Sequence, residues 1–272
     1  MIGQRSVLEK VDTWIKYNSI PKFLILQGIP GIGKKTLLNH ISEKTGYPLI
    51  YFTNKMEGIR ELINVCYNQT KPIIYAIADV DKMSNQAENA MLKVAEEPPT
   101  NAYIAVTSNS DSLLPTIKSR GVQIIMEDYT EEDKKQYVTE CLKLKIDDKL
   151  LEEIEVSETL YDISVFERCD FNRLCELCEN IVLKISSTNI GSALRISESI
   201  SVKDKDESKG YDLGLFLKVL ANKYYLHYIK YKDKQDFIAY KNILKAKKQL
   251  SRSFNKQYVL DELLLNLQGS VV

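Results

Sequence analysis

The chain has 272 residues, 44% of them hydrophobic, with 37 basic against 37 acidic side chains, enough for one large domain or two to three smaller ones. Zero formal charge excludes a protein that grips nucleic acid along its whole length, and no apolar run approaches the roughly 18–20 residues that span a bilayer. Five irregularly spaced cysteines do not make a secreted disulfide framework, and the opening MIGQRSVLEK lacks a signal-peptide core, so a cytoplasmic protein without membrane contact is expected.

In chain order, the first helix is expected over 5–17 and the first strand over KFLILQ, 22–27. The glycine-rich GIPGIGKKT comes next, then a helix over 34–44 and a strand at PLIYF, 48–52. A helix over 57–68 places Ile59, Leu62, Ile63 and Cys66 on one face, and a strand follows at PIIYAIA, 72–78. Ser84 is a candidate N-cap for a helix over 84–95, with Ala87, Ala90, Met91 and Val94 at helical spacing. Strands at AYIAVT (102–107) and VQIIM (122–126) complete the set. None of the strand runs alternates cleanly, the pattern of parallel strands buried on both faces. Strands alternating with helices predict an α/β fold, an open parallel sheet with its ligand beyond the carboxyl ends of the strands.

Beyond 128 the strand signal fades. Thr130 can cap a helix whose first turn carries Glu131, Glu132 and Asp133, all suited to a positive helix end. SVKDKDESKG, 201–210, has the composition of a linker, and the periodic YVLDELLLNLQG closes the chain. Charge supports three parts: residues 1–128 hold 14 basic and 13 acidic groups, 129–200 hold 9 and 16, and 201–272 hold 14 and 8. The expected division is an α/β domain over 1–128, a small helical domain over 129–200 and an all-α domain over 201–272.

GIPGIGKKT fits a phosphate-binding loop through Gly28, Gly33 and Lys34, directly after a strand and before a helix. Gly28, Gly31 and Gly33 allow backbone conformations in which successive N–H groups face phosphates, and Lys34 supplies a point charge. The next residue normally gives a hydroxyl to Mg²⁺; here it is Lys35, whose ammonium has no lone pair to offer and repels a cation. Thr36 has the hydroxyl but sits one helical position late, about 100° around the axis. ATP or ADP is a possible ligand, whereas the metal half of the loop is expected to be lost.

A second constellation begins at PIIYAIADVDKM and continues as SNQAENAMLKVAEEPPTNAYIAVTSNSDSLLPTIKSRG. It resembles the AAA+ subunits of DNA polymerase III-type clamp loaders, most closely those of delta-prime or gamma type, which carry similar DKM, EEPP and LLPTI.SR segments in this order. IGQ at 2–4, IP at 20–21 and the final FNKQYVLDELLLNL are also similar to that family. The resemblance implies an AAA+ P-loop domain, a helical lid and a C-terminal oligomerisation collar. It also implies hetero-oligomeric partners of the same class, a sliding clamp, and primer-template DNA reached through the complex.

The resemblance further sets Ala78 where the family holds its metal with Asp, and Asp79 at the catalytic Glu position. Because adjacent strand residues face opposite ways, Asp79 is not expected to take over the metal position. Arg120 falls on the family's arginine finger, which acts on a neighbour's ATP, with Gly121 in place of the usual Cys; the alternative for Arg120 is a helix C-cap. Thr107 and Asn109 fall in the sensor segment, or simply end a strand. The resemblance also sets Arg195 near the family's second sensor; the alternative is an arginine on a helix surface. The reading is a delta-prime-like stator; the alternatives are a gamma-like motor using Thr36, Asp79 and Asp81, and a chain holding nucleotide without metal.

No zinc is expected. Cys66 stands alone, while Cys169, Cys175 and Cys178 suit a helical core. Lys241, Lys245, Lys248 and Arg252 share a helix face that is either solvated or in contact with DNA or an acidic partner. Leu260, Leu263, Leu264 and Leu267 are expected to form a subunit-packing face.

Overall fold

The computed structural model describes residues 1–109, 113, 115–168, 171–205, 213–251 and 254–269. The chain divides into two compact units, Met1–Lys145 and Ile146–Val272.

The first unit follows the order α1 (Arg5–Lys16), β1 (Phe23–Gln27), α2 (Lys34–Thr45), β2 (Leu49–Phe52), α3 (Met56–Cys66), β3 (Ile73–Ile77), α4 (Asn85–Glu96), β4 (Ala102–Ser108), α5 (Pro115–Lys118), β5 (Val122–Ile125) and α6 (Glu131–Gln136). Its five strands are all parallel, in the order β2-β3-β4-β1-β5. Phe23, Ile25, Tyr75, Ile77, Ile104 and Val106 pack one face of the sheet against Ile59 and Leu62 of α3 and Met91 and Val94 of α4. On the other face Leu24 and Ile74 line a small apolar cavity together with Leu38 and Ile41 of α2. Burial on both faces holds for β1, β3 and β4. The outer strands differ: Ile50 and Tyr51 of β2 and Val122 and Ile125 of β5 are exposed, because each has a partner on one side only.

Local chemistry sets the helix ends. The Ser84 hydroxyl accepts from the Ala87 N–H, capping α4. Thr130 and Asp133 exchange side-chain to backbone hydrogen bonds in a capping box that starts α6.

The second unit is helical throughout its described residues: α7 (Asp148–Val156), α8 (Leu160–Arg168), α9 (Phe171–Lys184), α10 (Ile190–Lys205), α11 (Leu213–Tyr231), α12 (Lys234–Ser251) and α13 (Lys256–Gln268). Residues 201–205 of the expected linker continue α10, and 206–212 lie outside the described residues. One core runs from Val156 to Leu267, with Cys175, Cys178, Phe216, Leu220 and Ile243 inside it. Leu260, Leu263, Leu264 and Leu267 are also buried in that core, which corrects their assignment to a subunit-packing face. The periodicity of α13 marks a face that must be covered, and α10 and α12 of the same chain cover it. Lys245 is paired with Glu262 of α13 at 2.7 Å, while Arg252 lies outside the described residues.

Candidate nucleotide-binding site

The carboxyl ends of β1, β3 and β4 meet in one polar cluster. The loop leaves β1 and enters α2 through Gly33, whose φ of 101° falls where a side chain is strained. Space makes the same demand, since a Cβ on Gly33 would lie 2.9 Å from the Tyr129 hydroxyl. That hydroxyl donates to the Ile32 carbonyl at 2.9 Å and pins the end of the loop. Burial, aided by the Asp133 charge, pushes the Tyr129 phenol up to about 12. Gly31 also has positive φ, at 83°.

Lys34 is only 8% exposed. Its ammonium donates to the carbonyls of Gly28 at 2.5 Å and Ile29 at 2.9 Å, and to Asn109 Oδ1 at 2.9 Å. Burial lowers its pKa, opposed by the nearby charges of Asp79 and Asp81. Asn109 faces the other way as well: its Nδ2 donates to Asp79 Oδ1 at 2.9 Å and its backbone N–H to Asp81 Oδ1 at 3.0 Å. Asp79 Oδ2 accepts from Lys82 at 3.1 Å. Thr107, 2% exposed, accepts from the Asp79 N–H at 3.2 Å, and Asn54 donates to the Asp79 carbonyl at 2.9 Å. Burial alone raises the Asp79 carboxyl; hydrogen bonds from Asn109 and Lys82, with the Lys82 and Lys34 charges, bring it net below its ordinary value.

Strand alternation does not govern Asp79. β3 ends at Ile77, and Asp79 takes a left-handed conformation, φ 53°, before the short 3₁₀ turn Val80–Lys82. This turn aims the carboxylate at Asn109 and Lys34, so the expectation that neighbouring residues diverge fails once the strand has stopped.

The glycines, the helix start and Lys34 suit a phosphate group. The donor set does not suit a divalent cation. Ala78 offers no ligand, and Lys35 places an ammonium, 5.8 Å from the Tyr51 ring centroid, where a hydroxyl would be needed. Thr36 is exposed on α2.

Arg120 lies elsewhere. Leu24 at the start of β1 pairs with Val122 at the start of β5, so Arg120 sits at the amino end of the sheet, opposite the loop. Its guanidinium donates to the Thr116 carbonyl at 2.5 Å and forms an ion pair with Glu96. The site thus gathers Gly28, Gly31, Gly33, Lys34, Asp79, Thr107 and Asn109, and leaves Arg120 apart. Arg195 is exposed on α10 in the second unit. Sequence reasoning missed Asn54, Lys82 and Tyr129. Lys82 had a signal in the DKM segment; the other two act through contacts made only by folding.

Strand order, loop and sheet define a P-loop-type α/β domain with a parallel five-stranded sheet. A family model described as DNA polymerase III, delta subunit, matches residues 50–130. DNA polymerase III subunit gamma of Buchnera aphidicola is 26% identical over 175 residues, covering 53% of this chain and 48% of the relative. Subunit tau/gamma of Haemophilus influenzae is 25% identical over 245 residues, covering 77% and 31%. The chain therefore spans half or less of the length of these curated relatives. A DNA polymerase III gamma subunit-related protein of Thermotoga maritima shares the fold, with a TM-score of 0.59 at 17% identity over 95% of this chain and 98% of that one. The chain resembles the AAA+ subunits of clamp loaders in both sequence and fold.

Proposed function

We propose that this chain is a subunit of a DNA sliding-clamp loader of the DNA polymerase III type, working as a delta-prime-like stator rather than a motor. It assembles with other AAA+ subunits on a sliding clamp and primer-template DNA, and contributes Arg120 to a neighbour's ATP site. The observation that carries the reading is the placement of charge in the two halves of the sheet. At the loop end, a self-contained network of Lys34, Asn109, Asp79 and Lys82 stands where a hydrolysing site needs metal ligands. At the other end, a partly exposed arginine sits at the far end of the strands from its own loop. Phosphate binding at Gly28–Thr36, by ATP or ADP, is compatible with this role. The motor alternative draws on Asp79, whose turn aims it at Lys34; against it stands the lack of metal ligands at Lys35 and Ala78.

The test uses the full chain with the AAA+ subunits that co-purify with it. In assembled complex, Lys34→Ala is expected to leave ATP turnover within about twofold of native, and Arg120→Ala to lower it by about 10³ or more, the scale of an arginine finger. Loss of turnover on Lys34→Ala with assembly intact would make this chain a motor. Unchanged turnover on Arg120→Ala would remove the finger.

A further inference from the structure

We propose that Glu96 is a positioning residue for Arg120, holding its guanidinium in the orientation from which it meets a phosphoryl group on an adjoining subunit. The inference rests on the arginine-finger reading above. Glu96 is the last residue of α4, and Pro98 and Pro99 follow it closely. A carboxylate in the last turn of a helix faces the negative end of the dipole, so this position disfavours glutamate unless a cation meets it. Arg120 is that cation.

The pair contributes little as a stabiliser, because the side chains are 30% and 50% exposed. Its effect is on direction. One terminal nitrogen of Arg120 is held by Glu96 and the other by the Thr116 carbonyl. The backbone below is fixed too: the Arg120 N–H donates to Ile117 O at 3.1 Å, and Ser119 Oγ donates to Thr116 O at 3.0 Å. A guanidinium carries five N–H donors. The two bonds leave three for an incoming phosphoryl oxygen while restricting the rotamers that a long side chain otherwise samples. Glu96 thus links the end of α4 to the finger without touching nucleotide.

The experiment measures steady-state ATP hydrolysis by the assembled complex, with the chain as native, Glu96→Gln, Glu96→Asp, Arg120→Ala, or Glu96→Gln with Arg120→Ala. Glu96→Gln is expected to lower kcat about fivefold with KM for ATP and assembly unchanged, and Glu96→Asp to recover most of the loss. In the Arg120→Ala background Glu96→Gln should have no further effect. An unchanged or raised kcat for Glu96→Gln, where Arg120→Ala is impaired, overturns the positioning role and leaves the finger standing. An equal loss in both backgrounds also overturns it, since Glu96 would then act independently of the arginine. If Arg120→Ala itself retains native turnover, the finger reading falls and the positioning role with it.

Discussion

Replacing Gly121 by alanine tests whether packing, rather than backbone conformation, fixes the turn that carries Arg120. A Cβ at this position would stand 2.6 Å from Phe23 Cδ1, and 2.7 and 2.8 Å from Ile25 Cδ1 and Cγ1. Such contacts are too close to persist, so a neighbour must shift. Phe23 and Ile25 are 3% and 0% exposed and belong to β1, which lies between β4 and β5; there is little free space to receive them. One extra methyl forced into a packed core costs about 1–3 kcal/mol, and the cysteine usual in the resembling family adds a sulfur to that. Urea denaturation followed by the unfolding of the first unit should show a midpoint lowered accordingly, with Tm falling by roughly 2–4 °C per kcal/mol for a chain of this size. A suppressor sharpens the test. Ile25→Val removes the Cδ1 methyl, and alone it costs about 0.5–1.5 kcal/mol. Combined with Gly121→Ala it should give less than the sum of the two losses, because the substitutions meet in one space. A Gly121→Ala protein as stable as native, or strict additivity with Ile25→Val, would refute the steric account and leave the glycine unexplained.

Asn109→Ala removes two hydrogen bonds to charged partners at 2.9 Å each, while Lys34 keeps its two carbonyls and Asp79 keeps Lys82. The expected cost is about 1–3 kcal/mol, read as a lowered urea midpoint; Asn109→Ala with native stability would show that the network is incidental. Tyr129 gives a pH dependence of defined sign. Its phenol is raised from 10.0 to about 12, so its contribution to stability is fully present below pH 10 and is lost as pH rises through 12. Stability against pH should therefore fall more steeply across this window in the native chain than in Tyr129→Phe, and parallel profiles would count against the burial argument.

The parts of the fold that could be anticipated are those written in neighbouring residues. β1, β3 and β4 were visible as unbroken apolar runs, and the loop as glycines between a strand and a helix. The Thr130 cap was visible because its partner Asp133 is three residues away. What escaped depends on distance or on where an element stops. Asp79 was placed by strand alternation, but β3 ends two residues earlier and a left-handed turn re-aims the side chain. Tyr129 reaches Ile32 across 97 positions, and Asn54 reaches Asp79 across 25, with no local pattern to mark either. The leucines of α13 show a further limit. A helical stripe establishes that a face is covered, yet its period is the same whether the cover is another subunit or, as found, α10 and α12 of the same chain.

On the proposed reading, the charge balance of the cluster accounts for a phosphate loop that persists without metal ligands. A partly buried carboxylate is favoured by a nearby cation, and a metal-dependent site draws that charge from the ion. Here two ammonium groups, Lys34 and Lys82, face two carboxylates, Asp79 and Asp81, with Asn109 hydrogen-bonded to Lys34 and to both carboxylates. The cluster is compensated by its own side chains, so replacing the usual hydroxyl with Lys35 and the usual carboxylate with Ala78 leaves no group without a partner that a metal would have to supply. On the proposed reading, the same economy frees the loop from hydrolysis while keeping its role in joining the ends of β1, β3 and β4. On that reading the chemistry belongs to the opposite end of the sheet, where Gly121 packs against Phe23 and Ile25 of β1 and Arg120 is paired with Glu96.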